Sequence, residues 1–332
     1  MKQFRIGIVG AGLIAKDHAN SLTRNPRVCS ITFFDTDTER ARAAADLFGV
    51  PVAKSLRELV NQSDIIWICT PPFAHRAAIL AACRVKRPIF CEKPLGINET
   101  DLRVIAAAVR RARVPFFMGQ SGRYSYFFKK MKELVEDGAI GQPTMVWSTR
   151  LGYFDPKKHP AWRFDAKLGG GMLIEFGVHE IDFVSWLGGQ WTSVSAVASS
   201  RILRPGNFVD TVAAVGTLRS GAIARVEIGW ASPRYLWQRG VEGETGSLFL
   251  DDSKVREVNL LRPGKKPQIF RTGNWMDMRT KENLSLKDQA TAVLDTLAKG
   301  GQPGVTLADG AAAVRAALAM YESTRTGRVV RI

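Results

Sequence analysis

Short apolar runs and amphipathic stretches alternate along the first part of the chain. The runs fall at 4–9, 29–34, 65–69, 89–91 and 116–118. Their spacing, about 25 residues, is that of one strand–helix unit. Alanine-rich segments at 38–48, 75–83 and 99–113 lie between them and read as helices. Strands alternating with helices predict a doubly wound parallel sheet covered on both faces, ending near Gly122.

The pattern changes after Phe127-Phe128-Lys129 and the helix they begin. Segments 144–150, 192–200, 211–218 and 222–230 alternate apolar with polar residues over longer runs, and Arg219-Ser220-Gly221 reads as a tight turn between two of them. One helix, 172–187, interrupts the strands, and a last helix spans 308–324. The expectation is an α+β domain over 123–332 with an open, mainly antiparallel sheet, following an α/β domain over 1–122.

The chain's 332 residues suit two domains. Its 45% hydrophobic content suits a globular protein with an ample core. No apolar run reaches the roughly 20 residues that span a bilayer, and Met1 to Arg5 lead into a strand rather than a signal peptide. Cys29, Cys69, Cys83 and Cys91 form no Cys-x-x-Cys pair and read as reduced thiols of a cytoplasmic protein. The net charge of +16 raises the question of nucleic acid. The basic residues are dispersed, with modest clusters at Arg110, Arg111 and Arg113 and at Lys129, Lys130 and Lys132, and no nucleic-acid-binding signature accompanies them. A solvated basic surface that attracts anionic ligands is the expectation.

Candidate chemistry begins at Gly10-x-Gly12-x-x-Ala15, which follows a strand and opens a helix. In that context the first glycine makes the tight turn, the second admits a pyrophosphate against the backbone through Gly12, Leu13 and Ile14, and the helix start supplies amide donors. Asp35 ends the second strand, where an acidic residue binds the adenine ribose of NAD; a turn that caps the next helix is the alternative. Thr36 favours NAD, and Arg40 leaves NADP open. Thr70, Pro71 and His75 lie in a loop at the carboxyl edge of the sheet, His75 either facing a cofactor or capping its helix. Glu92-Lys93-Pro94 closes the next strand and puts an ammonium group at that same edge, which points to redox chemistry with a nicotinamide.

The whole series resembles the glucose-fructose oxidoreductase, inositol dehydrogenase and rhizopine catabolism (Gfo/Idh/MocA) family. The resemblance runs through Gly10-x-Gly12-x-x-Ala15, Thr70-Pro71-Pro72 with His75, Glu92-Lys93-Pro94, Arg123 after Met118-Gly119-Gln120, and Gly138-Ala139-Ile140-Gly141. It continues through Gly169-Gly170-Gly171, Gly177-Val178-His179 with Asp182, Gly243-Glu244-Thr245-Gly246 and Glu322-Ser323. It implies an NAD(P)-binding Rossmann domain over 1–122 and a substrate-binding and oligomerisation domain over 123–332. It also implies sugar or cyclitol substrates, a homo-oligomer (dimer or tetramer), a lysine between nicotinamide and substrate, and a cis Lys93-Pro94 bond.

Oxidation of a secondary alcohol needs a base for the hydroxyl proton. On helix 172–187, Glu175, His179, Asp182 and Trp186 fall in one narrow stripe, which faces either water or a site. A surface pair between Glu175 and His179 is the plain reading; with the resemblance, His179 becomes the base and Lys93 the group that orients the hydroxyl. The family usually has aspartate where this chain has Glu175, which leaves geometry, substrate type and direction open. Arg123, Arg150, Tyr153, His159, Trp162 and Arg163 are candidate substrate contacts, with Arg150 or Arg163 suited to a carboxylate. Tyr235 and Trp237 either stack on a sugar ring or pack. No His/Cys/Asp cluster has metal-ligand spacing. The expected activity is hydride transfer between nicotinamide and a secondary hydroxyl. Redox-neutral glycoside cleavage or elimination with the same cofactor, and a silent sugar- or nucleotide-sensing regulator, are the alternatives.

Overall fold

A five-stranded, all-parallel sheet in the order β2-β1-β3-β4-β5 organises the N-terminal residues. Its elements are β1 (Phe4–Val9), α1 (Leu13–Leu22), β2 (Val28–Phe34), α2 (Thr38–Asp46), α3 (Leu56–Gln62), β3 (Ile65–Ile68), α4 (Pro72–Arg84), β4 (Ile89–Glu92), α5 (Glu99–Ala112) and β5 (Phe116–Gly119). The structure is a computed structural model that describes residues 1–201, 208–252, 256–271, 276–277 and 282–332. β3, β4 and β5 are buried along their whole length, as strands covered on both faces must be. Trp67 and Phe90 stack at 3.9 Å between ring centroids in the middle of this sheet.

The helix starts differ in a way that bears on the site. Asp37, Ser55 and Asn98 cap α2, α3 and α5 by accepting the amide N–H of Arg40, Glu58 and Asp101. Such a cap satisfies one of the orphan donors at a helix start. α1 and α4, which leave the carboxyl ends of β1 and β3, have no side-chain cap. β1 lies between β2 and β3, so the carboxyl ends of β1 and β3 flank the point where the chain order reverses.

The second sheet has nine strands in the order β13-β12-β11-β10-β6-β9-β8-β7-β16. Its strands and helices run α6 (Tyr126–Glu136), β6 (Pro143–Tyr153), α7 (Ala166–Gly169), α8 (Val178–Gly188), β7 (Trp191–Ser199), β8 (Thr211–Leu218), β9 (Ile223–Gly229), β10 (Ala231–Gly243), β11 (Ser247–Asp251), β12 (Glu257–Leu261) and β13 (Gln268–Arg271). β6 and β9 pair in parallel; the other pairings are antiparallel. α8 lies directly on this sheet because two glycines permit it. A Cβ on Gly177 would come 2.8 Å from Ile228 Cδ1, and one on Gly188 would come 2.4 Å from Leu218 Cδ1.

The chain then adds β14 (Met276–Asp277), β15 (Glu282–Asn283), α9 (Leu284–Lys299), α10 (Leu307–Thr326) and β16 (Val330–Arg331). It divides into two compact units, Met1–Tyr124 with Asn274–Ala311, and Ser125–Gly273 with Ala312–Ile332. α9 therefore belongs with the first sheet: Ala290, Val293 and Leu294 share a core with Ala15, Ala19 and Leu22 of α1. A single boundary at 122/123 does not include this return. Among the described residues, no helix is long and apolar enough to cross a membrane.

Candidate active site

The turn after β1 is shaped by Gly10, whose φ of +96° lies in the region that favours glycine. A Cβ there would stand 2.9 Å from the carbonyl of Cys69 and from the Thr70 nitrogen, so this turn and the end of β3 touch backbone to backbone. Gly12 is the opposite case: nothing lies within 4 Å of an added Cβ. Open space over Gly12, an uncapped α1 start, and a buried Thr70 hydroxyl with no hydrogen-bond partner among the described residues together fit a dinucleotide pyrophosphate. Leu13 is exposed beside this space, and Ile14 packs on the core.

Asp35 binds the protein at both oxygens. Oδ2 accepts the Ala11 amide at 2.8 Å, and Oδ1 accepts the Asp37 amide at 3.0 Å, so the carboxylate ties the glycine turn to the end of β2. The helix cap is Asp37 instead. Arg40 pairs with that same Asp37 at 2.9 Å.

Lys93 sits at the carboxyl end of β4, half-buried, and the Lys93-Pro94 bond is cis. The Glu92 carboxylate reaches both ways. Its Oε1 lies 2.8 Å from Nε2 of the fully buried His18, and its Oε2 accepts the Lys93 amide at 3.1 Å. His75 is also fully buried, its Nδ1 lying 2.8 Å from the Pro94 carbonyl and its Nε2 2.8 Å from the Thr70 carbonyl. Burial lowers the His75 pKa, against the pull of those two carbonyls. A neutral ring donates to one of them and an imidazolium to both. His75 thus bridges the Thr70-Pro71 loop and the Lys93-Pro94 turn. Arg123 pairs with Asp309 at 3.1 Å within the same unit.

In the second unit, Gly170 and Gly171 both adopt φ of +79° and lead into a π-helical turn, Leu173–Gly177, that runs into α8. Tyr321 fixes the entry, its hydroxyl accepting the Leu173 amide at 2.9 Å where a side chain on Gly171 would collide with it. The wide turn changes the expected stripe, because Glu175 lies inside it and His179 just after. Glu175 is 2% exposed and Asp182 4%, whereas His179 is only partly covered. Glu175 is therefore not a surface residue. Arg163 approaches Glu175 at 3.5 Å, with Trp162 beside it. His159 is lowered by burial first and then by the Arg163 charge. Arg163, Glu175 and His159 thus form one neighbourhood.

Arg150 is placed in a different one. Its guanidinium lies between the rings of Phe176 and Trp237, at 3.7 and 3.9 Å, and it donates to Glu180 at 3.2 Å. Burial brings its pKa down to about 10 despite Glu180. Trp237 thus packs on Arg150, with Tyr235 beside it and more exposed. Tyr153 is exposed at the end of β6.

Two residue-level comparisons bear on this arrangement. Residues 4–120 match the model for the oxidoreductase family with an NAD-binding Rossmann fold, and residues 128–249 match the GFO/IDH/MocA C-terminal domain. The chain belongs to the Gfo/Idh/MocA oxidoreductase family. Membership makes it an oxidoreductase with an NAD-binding Rossmann fold. Among family relatives, myo-inositol 2-dehydrogenase of Thermotoga maritima is 26% identical over 99% of this chain and 98% of its own. Inositol 2-dehydrogenase 4 of Saccharopolyspora erythraea is 30% identical over 68% of this chain and 67% of its own. Levoglucosan dehydrogenase in complex with NADH and levoglucosan has the same fold, with a TM-score of 0.91 at 21% identity over 100% of this chain and 99% of that one.

Two residues of this Gfo/Idh/MocA chain emerge only from the structure. His18 shares the inner face of α1 with Ala15, Ala19 and Leu22, so helical spacing marks it as buried. Glu180 is fully buried on α8 and lies outside the stripe that drew attention to His179.

Proposed function

We propose that the protein is an NAD(P)-dependent dehydrogenase that acts on a secondary hydroxyl of a sugar, a cyclitol or a derivative. The observation that carries this reading is the setting of Lys93. Its backbone is held on both sides at the sheet edge where the open space over Gly12 and the orphan Thr70 hydroxyl also lie. The names of the inositol and levoglucosan dehydrogenases support the substrate class.

Gly10, Gly12, Leu13 and Ile14 approach the pyrophosphate, Asp35 faces the ribose, and Thr70, Pro71, His75, Glu92 and Lys93 border the ring. NAD is the preferred cofactor, since Asp37 engages Arg40, the group that would meet a 2′-phosphate. When bound, the nicotinamide supplies the hydride acceptor. Lys93 donates a hydrogen bond to the substrate hydroxyl and favours its developing alkoxide. His179 takes the hydroxyl proton, with Glu175 supporting it. Arg123, Tyr153, Trp162, Arg163 and Asp182 are the substrate contacts in this reading, and Arg150 braces Phe176 and Trp237. The second unit binds substrate and carries the contacts of a homo-oligomer, for which Val197, Val215 and Ile223 offer an exposed apolar sheet face. Free thiols at Cys69, Cys83 and Cys91, all buried, suit the cytoplasm.

The test is turnover on inositols, aldoses, uronates and glycosides with NAD and NADP, following nicotinamide absorbance and product mass together. Reduced cofactor formed in step with a ketone, and abolished in Lys93→Ala, is the expected result. Product without reduced cofactor would favour the redox-neutral route. Nucleotide binding without any product would favour a sensor.

A further inference from the structure

The geometry points to His18 and His75 as positioning residues that fix Lys93 from its two sides. The inference rests on the reading of Lys93 as the residue that orients the reacting hydroxyl. The two neighbours of Lys93 in the chain are each held by a buried histidine, and the histidines come from different helices, α1 and α4.

On the Glu92 side, one carboxylate does two things. It accepts from His18 Nε2 through Oε1 and from the Lys93 amide through Oε2. His18 stands edge-on to Trp67 and Phe90, with ring centroids 5.6 and 5.1 Å away, and its Nδ1 has no hydrogen-bond partner among the described residues. Glu92 is thus the polar partner that orients this ring within an apolar wall. β4 and β5 approach closely here because residue 119 is glycine: a Cβ on Gly119 would stand 2.7 Å from the Glu92 Cα.

On the other side, Pro94 has no N–H, and its carbonyl is held by His75 Nδ1. The second His75 nitrogen engages the Thr70 carbonyl, which anchors the ring to the end of β3. The backbone on either side of Lys93 is therefore tied at two points to neighbouring elements. A lysine has a long flexible stem, so where its ammonium group goes depends on how firmly its Cα is held. Misplacing a reacting group by about 1 Å can cost on the order of 100-fold in rate.

The experiment labels the lysines by reductive methylation with ¹³C-formaldehyde and follows the Lys93 resonance, identified by its loss in Lys93→Arg. His18→Leu, His18→Asn, His75→Leu and His75→Gln remove the two holds, while His18→Gln keeps a donor toward Glu92 and His75→Asn keeps one toward the Pro94 carbonyl. The expected result is a displaced Lys93 resonance in the first four variants, and a smaller change in His18→Gln and His75→Asn. On an active substrate, kcat falls on the order of 10- to 100-fold, with NAD affinity retained in the His18 variants. A Lys93 resonance that superposes on wild type in variants shown to be folded by circular dichroism overturns the proposal. His18→Asn and His75→Gln serve where the Leu variants do not fold. A displaced resonance in a protein that turns over nothing would retain the two-sided hold and remove the dehydrogenase reading, so the two failures are distinguishable.

Discussion

Arg239 presents Nε and Nη2 to the two oxygens of Glu180, each at 2.9 Å, inside the second unit. Neither residue is more than 3% exposed. Ser148 and Arg150 also donate to Glu180, and Asp252 accepts from Arg239. Burial alone would raise the Glu180 pKa, but Arg239 and Arg150 outweigh it and hold the group below its ordinary value. Removing one partner from such a pair leaves a buried charge uncompensated, at a cost of about 3–5 kcal/mol. Arg239→Met is expected to lose stability on that scale in urea unfolding. A loss below about 1 kcal/mol, the value of an exposed pair, would contradict this account.

Gly10 and Gly12 predict opposite outcomes for the same substitution. Gly10→Ala strains a positive φ and drives a methyl into the Cys69–Thr70 backbone, so Tm and NAD affinity both fall. Gly12 has φ of −73° and free space around its Cβ, so Gly12→Val leaves Tm unchanged and weakens NAD binding. Calorimetric titration with NAD beside thermal unfolding separates the two.

Asp309 supplies a pH-dependent contribution to stability. Burial works to raise its pKa, but Arg123 and Thr306 hold it below the ordinary carboxylate value. A depressed folded-state pKa means that stability is present above the unfolded value, near pH 4, and is lost as pH falls through the folded one. Asp309→Asn is expected to flatten the acid limb of stability below about pH 4 while lowering stability at neutral pH. An unchanged acid limb would show that Asp309 does not contribute to it.

Lys93→Ala and His179→Ala bear on the chemistry itself. Each is expected to lower kcat on the order of 100- to 10,000-fold, the range of a positioned proton-transfer group, with NAD binding retained. For His179 the loss is accompanied by disappearance of the rise of rate with pH on the acid limb of the pH–rate profile. A His179→Ala variant that keeps that rise would assign the base elsewhere.

Much of the fold was legible because its signals are local. The runs at 4–9, 29–34, 65–69, 89–91 and 116–118 mark the five strands of the parallel sheet; β3, β4 and β5 are continuous in hydrophobicity because both faces are covered, whereas the edge strand β2 leaves Cys29 and Ser30 exposed. α9 escaped notice although Leu286, Ala290, Val293 and Leu294 lie at helical spacing, and its place beside α1 is set by contacts far apart in sequence. The candidate site was legible where glycines and the Glu92-Lys93-Pro94 turn mark backbone geometry. The stripe through Glu175, His179 and Asp182 assumed a regular helix. The π turn at 173–177 breaks that assumption; two left-handed glycines precede it, and its first amide is held by Tyr321, about 150 positions away. The pairing of Arg150 with Glu180 was not legible because Glu180 lies on another element, 30 residues on.

The return of α9 to the first sheet has a consequence for biosynthesis. Ala290, Val293 and Leu294 complete the core that α1 opens with Ala15, Ala19 and Leu22. During translation this face of α1 therefore lacks its α9 cover until the second sheet has been made and residue 294 has left the ribosome, so the unit that begins synthesis first completes its core late.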